Sequence, residues 1–231
     1  TTQYPYKLIL ISGCLAQAEP EKFKRFSIVG PQQIHHIVEA VEETLHNNIV
    51  KMLDLTETPP LNLPKIRKNP IVEVIPIARS WSTISKKKVI QEKIQSYPIP
   101  EIVDVAQKAI SGGVKEIVLT AHDTGSYGFD LGINITMLLR ELTVIPYSFK
   151  IRLDQANPTH LMKYKNELLT LITEEKMFIF LHLTMPTKEQ EFLGKNIEEM
   201  NNFIQELRLA VPELTLAMDI MVGFPTETDE E

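Results

Sequence analysis

The residues able to do chemistry in this 231-residue chain gather in five short stretches, each following an apolar run of strand length. They read "ARSWSTISKKK" (78–88), "AHDTGSYGFD" (121–130), "DQANP" (154–158), "TMPTKEQ" (184–190) and "GFPTETDEE" (223–231). Loops at the carboxyl ends of strands are where α/β proteins carry their ligand and catalytic groups. "HDTGSYG" is glycine-rich and polar, "DQANP" sets amides beside a carboxylate, and "GFPTET" puts a close-approach glycine, Gly223, next to Phe224. Asp123, Thr124, Asn157, Gly223 and Phe224 are the candidate ligand residues. The first loop differs: it offers Ser, Thr, Trp and Lys, but no Cys, His, Asp or Gly.

Each candidate also has a plainer reading. Asp123 and Thr124 before Gly125 form a turn sequence. His122 reads as an exposed loop histidine, His182 as a satisfied histidine at a strand end, and His35 and His36 as surface residues at a helix start. Lys86, Lys87 and Lys88 could meet phosphate, although a solvated face suits them as well. Cys14 is the only cysteine, so no intrachain disulfide can form. It reads as a free, partly buried thiol.

The elements that must position these residues follow from the pattern. "KLILIS" (7–12) has the form of a buried parallel strand. "PQQIHHIVEAVEETLHNN" (31–48) predicts an amphipathic helix with Ile34, Ile37, Val38, Val41 and Leu45 on its buried face. A short strand at 49–53 follows. Residues 54–70 hold four prolines without periodicity and read as a linker. Beyond it the chain alternates. Strands are expected at 71–78, 115–120, 149–153, 177–183 and 214–222, with helices at 99–111, 134–144, 160–174 and 194–210. The basic stretch after residue 85 reads as helical. Alternation of this kind predicts an α/β fold with a parallel sheet, and five strands suit a partial barrel better than a closed one.

Apolar residues make up 43% and charged residues 23%, a globular composition. No apolar run is long enough to span a bilayer. A net charge of −6 argues against a dedicated nucleic-acid module, since basic residues occur only in small groups at 22–25, 65–68 and 86–88. The single thiol and the lack of a signal peptide at "TTQYPYK" suggest a reducing, cytoplasmic setting.

In order along the chain, "SGCLAQAEPE", "IVGPQQIHHIVEAVEETL", "LNLPKIRKNPIVEVIPI", "SYPIPEIVDVAQKAISGGVKEIVLTAHDTGSYGFDLGIN", "IRLDQANP" and "MDIMVGFPTETDEE" resemble the radical-SAM tRNA methylthiotransferases. The nearest branch is the one acting on N6-threonylcarbamoyladenosine (t6A) beside the anticodon. The resemblance implies a partial N-terminal methylthiotransferase domain (1–54), a linker (55–70) and an incomplete radical-SAM partial barrel (71–231). It implies 2-methylthiolation of the modified adenosine, two [4Fe–4S] clusters, S-adenosylmethionine and tRNA.

It also points to departures. "ARSWSTISKKK" stands where the family has a CxxxCxxC cluster loop, with Trp81 near the first cysteine and Ser82, Ile84 or Ser85 near the others. Neither serine nor lysine offers a soft ligand. Cys14 matches one cluster cysteine of the N-terminal domain, a remnant ligand without its partners. His122 replaces a usual carboxylate, and "LTMPTKEQ" lacks a Gln-Ser pair. The tRNA-gripping C-terminal domain is not matched, because the last family motif is where the chain stops. The expectation is therefore a chain that binds no cluster and is inactive in methylthiolation. It could be a fragment, a mis-spliced product, or a non-catalytic pseudoenzyme that binds tRNA or a partner. Uncovered barrel edges would favour self-association.

Overall fold

A computed structural model describes residues 7–85, 88–172, 177–184, 190–212 and 215–219. The chain divides into two compact units, Thr1–Lys65 and Ile66–Glu231.

The first unit runs β1 (Leu10–Ser12), α1 (Cys14–Ala18), β2 (Ser27–Val29), α2 (Ile37–Leu45) and β3 (Lys51–Met52). Its three strands form a parallel sheet in sequence order. Helix 31–48 of the sequence reading is two elements. Pro31–His36 winds as a 3-10 helix that buries Gln32 and Gln33, and only then does α2 begin. The buried face of α2 is also not the expected one. Ala40 and Thr44 face the sheet, while Val38, Val41 and Leu45 are exposed. The reason is close packing of small residues. The Thr44 hydroxyl donates to the Ala40 carbonyl and lies 2.7 Å from Ser27 Oγ on β2, an approach that a larger residue would prevent. Cys14, expected to be partly buried, is exposed at the start of α1.

The second unit contains β4 (Val72–Pro76), β5 (Ala78–Ser85), β6 (Lys88–Ser96), α3 (Ile99–Ser111), β7 (Glu116–Thr120), α4 (Ile135–Thr143), β8 (Lys150–Ala156), α5 (Pro158–Met162), α6 (Lys165–Ile172), β9 (Met177–Thr184), α7 (Gln190–Ala210) and β10 (Thr215–Asp219). Strands β4, β7, β8, β9 and β10 pair side by side in that order, all parallel. A strictly sequential parallel order is that of a barrel segment, without the reversal that marks a doubly wound sheet. The helices pack on their sequence neighbours, α3 on α4, α4 on α6 and α6 on α7, as right-handed crossovers along one face require.

The core forms between that layer and the sheet. Ile75, Ile117, Leu119, Ile151 and Leu153 come from the strands, and Ile102, Leu138, Leu139, Leu142 and Phe203 from the helices. Each such side chain contributes about 1.5–3 kcal/mol by leaving water. Glu73 is a buried carboxylate on β4, and the Arg67 guanidinium donates to it.

Two further differences from the sequence reading concern local structure. Residues 78–85 and 88–96 are not a loop followed by a basic helix. β5 and β6 form an antiparallel pair, Ala78 opposite Ser96, with a register shift between Thr83 and Ile84. The β-branched residues Thr83, Ile84, Val89, Ile90 and Ile94 favour extended chain, and this outweighs the helix propensity of the lysines. The helix expected at 160–174 is split into α5 and α6.

Two helices, α4 and α5, are capped by asparagine. Asn134 Oδ1 accepts from the backbone N–H of Thr136 at 2.9 Å and of Met137 at 3.3 Å. Asn134→Ala should lower unfolding free energy by about 1 kcal/mol in urea titrations, with an unchanged denaturant slope.

Candidate functional site

The carboxyl ends of β4, β7 and β8 open onto a cleft of about 230 Å³. Ala78, Arg79, Ser80 and Ile94 line it from the hairpin side, Ala121, His122, Asp123 and Ser126 from the loop after β7, and His160 from α5.

Asp123 organises the floor of this cleft. One carboxylate oxygen accepts from the N–H of Gly125 at 2.9 Å and of Asn157 at 2.8 Å. The other lies 2.5 Å from His160 Nδ1. Burial alone would push this carboxyl up. The hydrogen bond and charge of His160, with the N–H groups of Asn157 and Gly125, outweigh it and hold Asp123 below the ordinary 3.8. Gly125 is required by closeness: a Cβ there would sit 3.0 Å from His160 Cβ and 3.1 Å from the Asn157 carbonyl.

The path to His160 is local. At the end of β8 the pairing register shifts, and Gln155 adopts φ 48°, a left-handed conformation uncommon outside glycine. Asn157 then caps α5, its Oδ1 accepting from Thr159 N at 3.0 Å, with Pro158 in the first turn. Three residues after the cap, His160 faces Asp123, and its ring meets Phe129 edge-on at 5.2 Å.

The other wall is fastened to the same loop. The Tyr127 hydroxyl donates to the Tyr97 carbonyl at 2.8 Å, Gly128 N–H donates to Ser96 Oγ at 2.9 Å, and Ser96 N–H donates to Asp130 at 2.9 Å. Burial raises the Tyr127 phenol, with the Asp130 charge adding to it, so the hydroxyl remains a donor. Gly128, at φ 82°, faces Ile133 where a Cβ would collide. Arg79 Nε donates to the Tyr97 hydroxyl at 2.9 Å. Burial raises the Tyr97 phenol as well, while Arg79 opposes the shift.

With Nδ1–H donated to Asp123, a neutral His160 presents Nε2 as an acceptor. An imidazole oriented by a half-buried carboxylate beside a half-buried arginine can bind a polar ligand and hold or pass a proton. Of the residues singled out in sequence, Asp123 lines the cleft. Thr124 lies beneath it, fully buried, donating to the Gln155 carbonyl at 3.4 Å, and Asn157 serves as the helix cap. His122 is exposed, as expected. Gly223 and Phe224 lie outside the described residues, as do the side chains of Trp81, Ser82, Ile84, Ser85 and His182. Cys14 stands in the first unit. His160, Arg79 and Gln155 were not anticipated. The signal for His160 was its place three residues after a capping asparagine.

No family model matches the chain. Curated relatives do. The chain is 36% identical over 97% of its length to threonylcarbamoyladenosine tRNA methylthiotransferase of Homo sapiens, covering 42% of that protein. It is 34% identical over 97% of its length to the probable enzyme of that name from Pyrococcus abyssi, covering 56%. To the Methanothermobacter thermautotrophicus protein named likewise it is 28% identical over 99%, covering 57%. The chain thus spans about half the length of the curated relatives it matches.

Asp123→Asn should cost about 1.5–3 kcal/mol of stability near neutral pH, the scale of a hydrogen bond to a charged group. A carboxyl held below 3.8 in the folded state stabilises above that pH and loses the contribution as pH falls through its folded value. Unfolding curves of the variant and the parent should therefore converge below pH 3.8 and stay apart above it. Over nearly its whole length, then, this chain is similar in sequence to proteins named threonylcarbamoyladenosine tRNA methylthiotransferase, and it matches about half of each.

Proposed function

We propose that this chain is a tRNA-directed member of its family that does not carry out the radical step of methylthiolation by itself. The observation that carries this reading is the segment Ala78–Ser96. It leaves the first strand of the parallel sheet as an antiparallel hairpin, in the place where the resemblance expects three cluster cysteines, and it contains none. A four-iron cluster needs thiolates converging on one point. The chain's one cysteine is in the other unit. The donor set does not fit the cluster, so no reaction step is assigned to it. Without that cluster, S-adenosylmethionine loses the metal that would hold its amino and carboxylate groups, and its binding is weak.

Support for tRNA comes from the names of the relatives, which are tRNA-modifying enzymes. In the cleft, Arg79, His122 and His160 supply donors suited to phosphate or to a base edge. The chain is acidic overall, at −6, so attraction must come from local groups, and affinity should fall steeply with salt.

The test is anaerobic reconstitution of the purified chain with iron and sulfide, followed by tRNA binding across a salt series. The expected result is no acid-labile sulfide, no broad visible absorption, and weak tRNA binding that rising ionic strength abolishes. About four irons and four sulfides per chain, with methylthiolated product, would overturn the proposal. Failure to retard tRNA even at low salt would sink its nucleic-acid half.

A further inference from the structure

We infer that the first unit carries a site for one divalent transition-metal ion, of the zinc class, on His35, His36 and Glu57. One ligand atom from each of these residues lies within 4.8 Å of the others. Glu57 Oε2 sits 2.9 Å from His35 Nε2 and 3.4 Å from His36 Nε2. For bonds of about 2.0–2.1 Å, the edge of a zinc tetrahedron is about 3.3 Å, so the two distances straddle what the ion would impose.

The site is built by backbone elements. Adjacent histidines diverge by about 100° on an α-helix and by about 120° on a 3-10 helix, so neither helix alone would bring them together. Here they sit at the junction where the 3-10 helix Pro31–His36 passes into α2, and their rings lie with centroids 4.1 Å apart. Glu57 is delivered by a turn: Asp54 Oδ1 accepts from Thr56 N–H at 2.8 Å and from the Thr56 hydroxyl at 2.7 Å. That turn is fastened to the same 3-10 helix, because Gln33 Nε2 donates to the Asp54 carbonyl at 3.2 Å. Helix and turn thus hold three donors in place before any ion arrives.

One histidine has the usual outer-shell partner: His36 Nδ1 faces Glu39 Oε2 at 3.3 Å, a carboxylate that fixes tautomer and ring orientation when Nε2 binds a metal, whereas His35 Nδ1 is buried without a hydrogen-bond partner. Two imidazoles and a carboxylate suit zinc, cobalt and nickel better than magnesium or calcium, which prefer oxygen alone. Glu57 and His36 are 47% and 38% exposed, so a fourth position is open to water and the ion can enter from solvent. A plain ion pair would use one histidine against Glu57. It gives no reason for the second imidazole to share the same oxygen with a carboxylate behind it.

Cobalt(II) titration of the purified chain, followed by visible absorption and by displacement with zinc, tests this site. We expect saturation at about one equivalent, the absorption of a four- or five-coordinate ion, and a rise in Tm with zinc. Glu57→Gln and His36→Ala should each weaken binding at least tenfold while leaving the far-ultraviolet circular dichroism unchanged, and Cys14→Ser should bind as the parent does. No saturable binding at one equivalent would overturn the inference. So would parental affinity in Glu57→Gln, or loss of binding in Cys14→Ser, which would assign the ion to the thiol.

Discussion

Asp123 is a half-buried carboxylate, and the loops after β7 and β8 are arranged around satisfying it. The carboxylate accepts two backbone N–H groups, one from its own loop and one from the chain leaving β8, and it grips an imidazole with its second oxygen. Removing these donors would leave a partly desolvated charge without its partners, which is costly. The carboxylate therefore dictates the path of Gly125, the cap at Asn157 and the direction of His160. The β-bulge at Gln155 has its explanation here: regular pairing along β8 must yield before Asn157 N–H can reach across.

How much of this was legible in the sequence depended on the range of the forces involved. The five parallel strands and their helices are written in long apolar periods, and Ile117, Leu119, Ile151 and Leu153 are buried where the alternation of elements puts them. Asp123 could be identified as important because Asp-Thr-Gly is both a turn and a ligand loop. For His160 the sequence marks only its place just after a capping asparagine, and its partner lies 37 positions away. Helix α2 misled for the opposite reason. Its large residues make the stronger amphipathic pattern, but the sheet below accepts only Ala40 and Thr44 at close range. Periodicity measures hydrophobicity and not clearance.

The hairpin shows a third kind of limit. Lysine-rich sequence after Ser85 has helical propensity, yet from Lys88 the chain is extended against β5. Propensity is a weak prior that pairing overrides when a partner strand of matching length lies two residues away. The turn at Asp54–Thr56 belongs to the same class: a proline-rich stretch without periodicity carries defined structure through side chain to backbone hydrogen bonds.

The hairpin also enters and leaves the second unit at one point. Ile77 N–H donates to Thr120, and Tyr97 N–H donates back to the Ile77 carbonyl, so the chain departs and returns on adjacent bonds while β4 and β7 remain paired beneath. Lengthening or shortening an excursion closed at its neck changes loop entropy only logarithmically. Its base is anchored, because Ser96 bonds both Gly128 and Asp130 of the loop after β7. Changes of length are therefore cheapest beyond that anchor, where the sheet need not follow them.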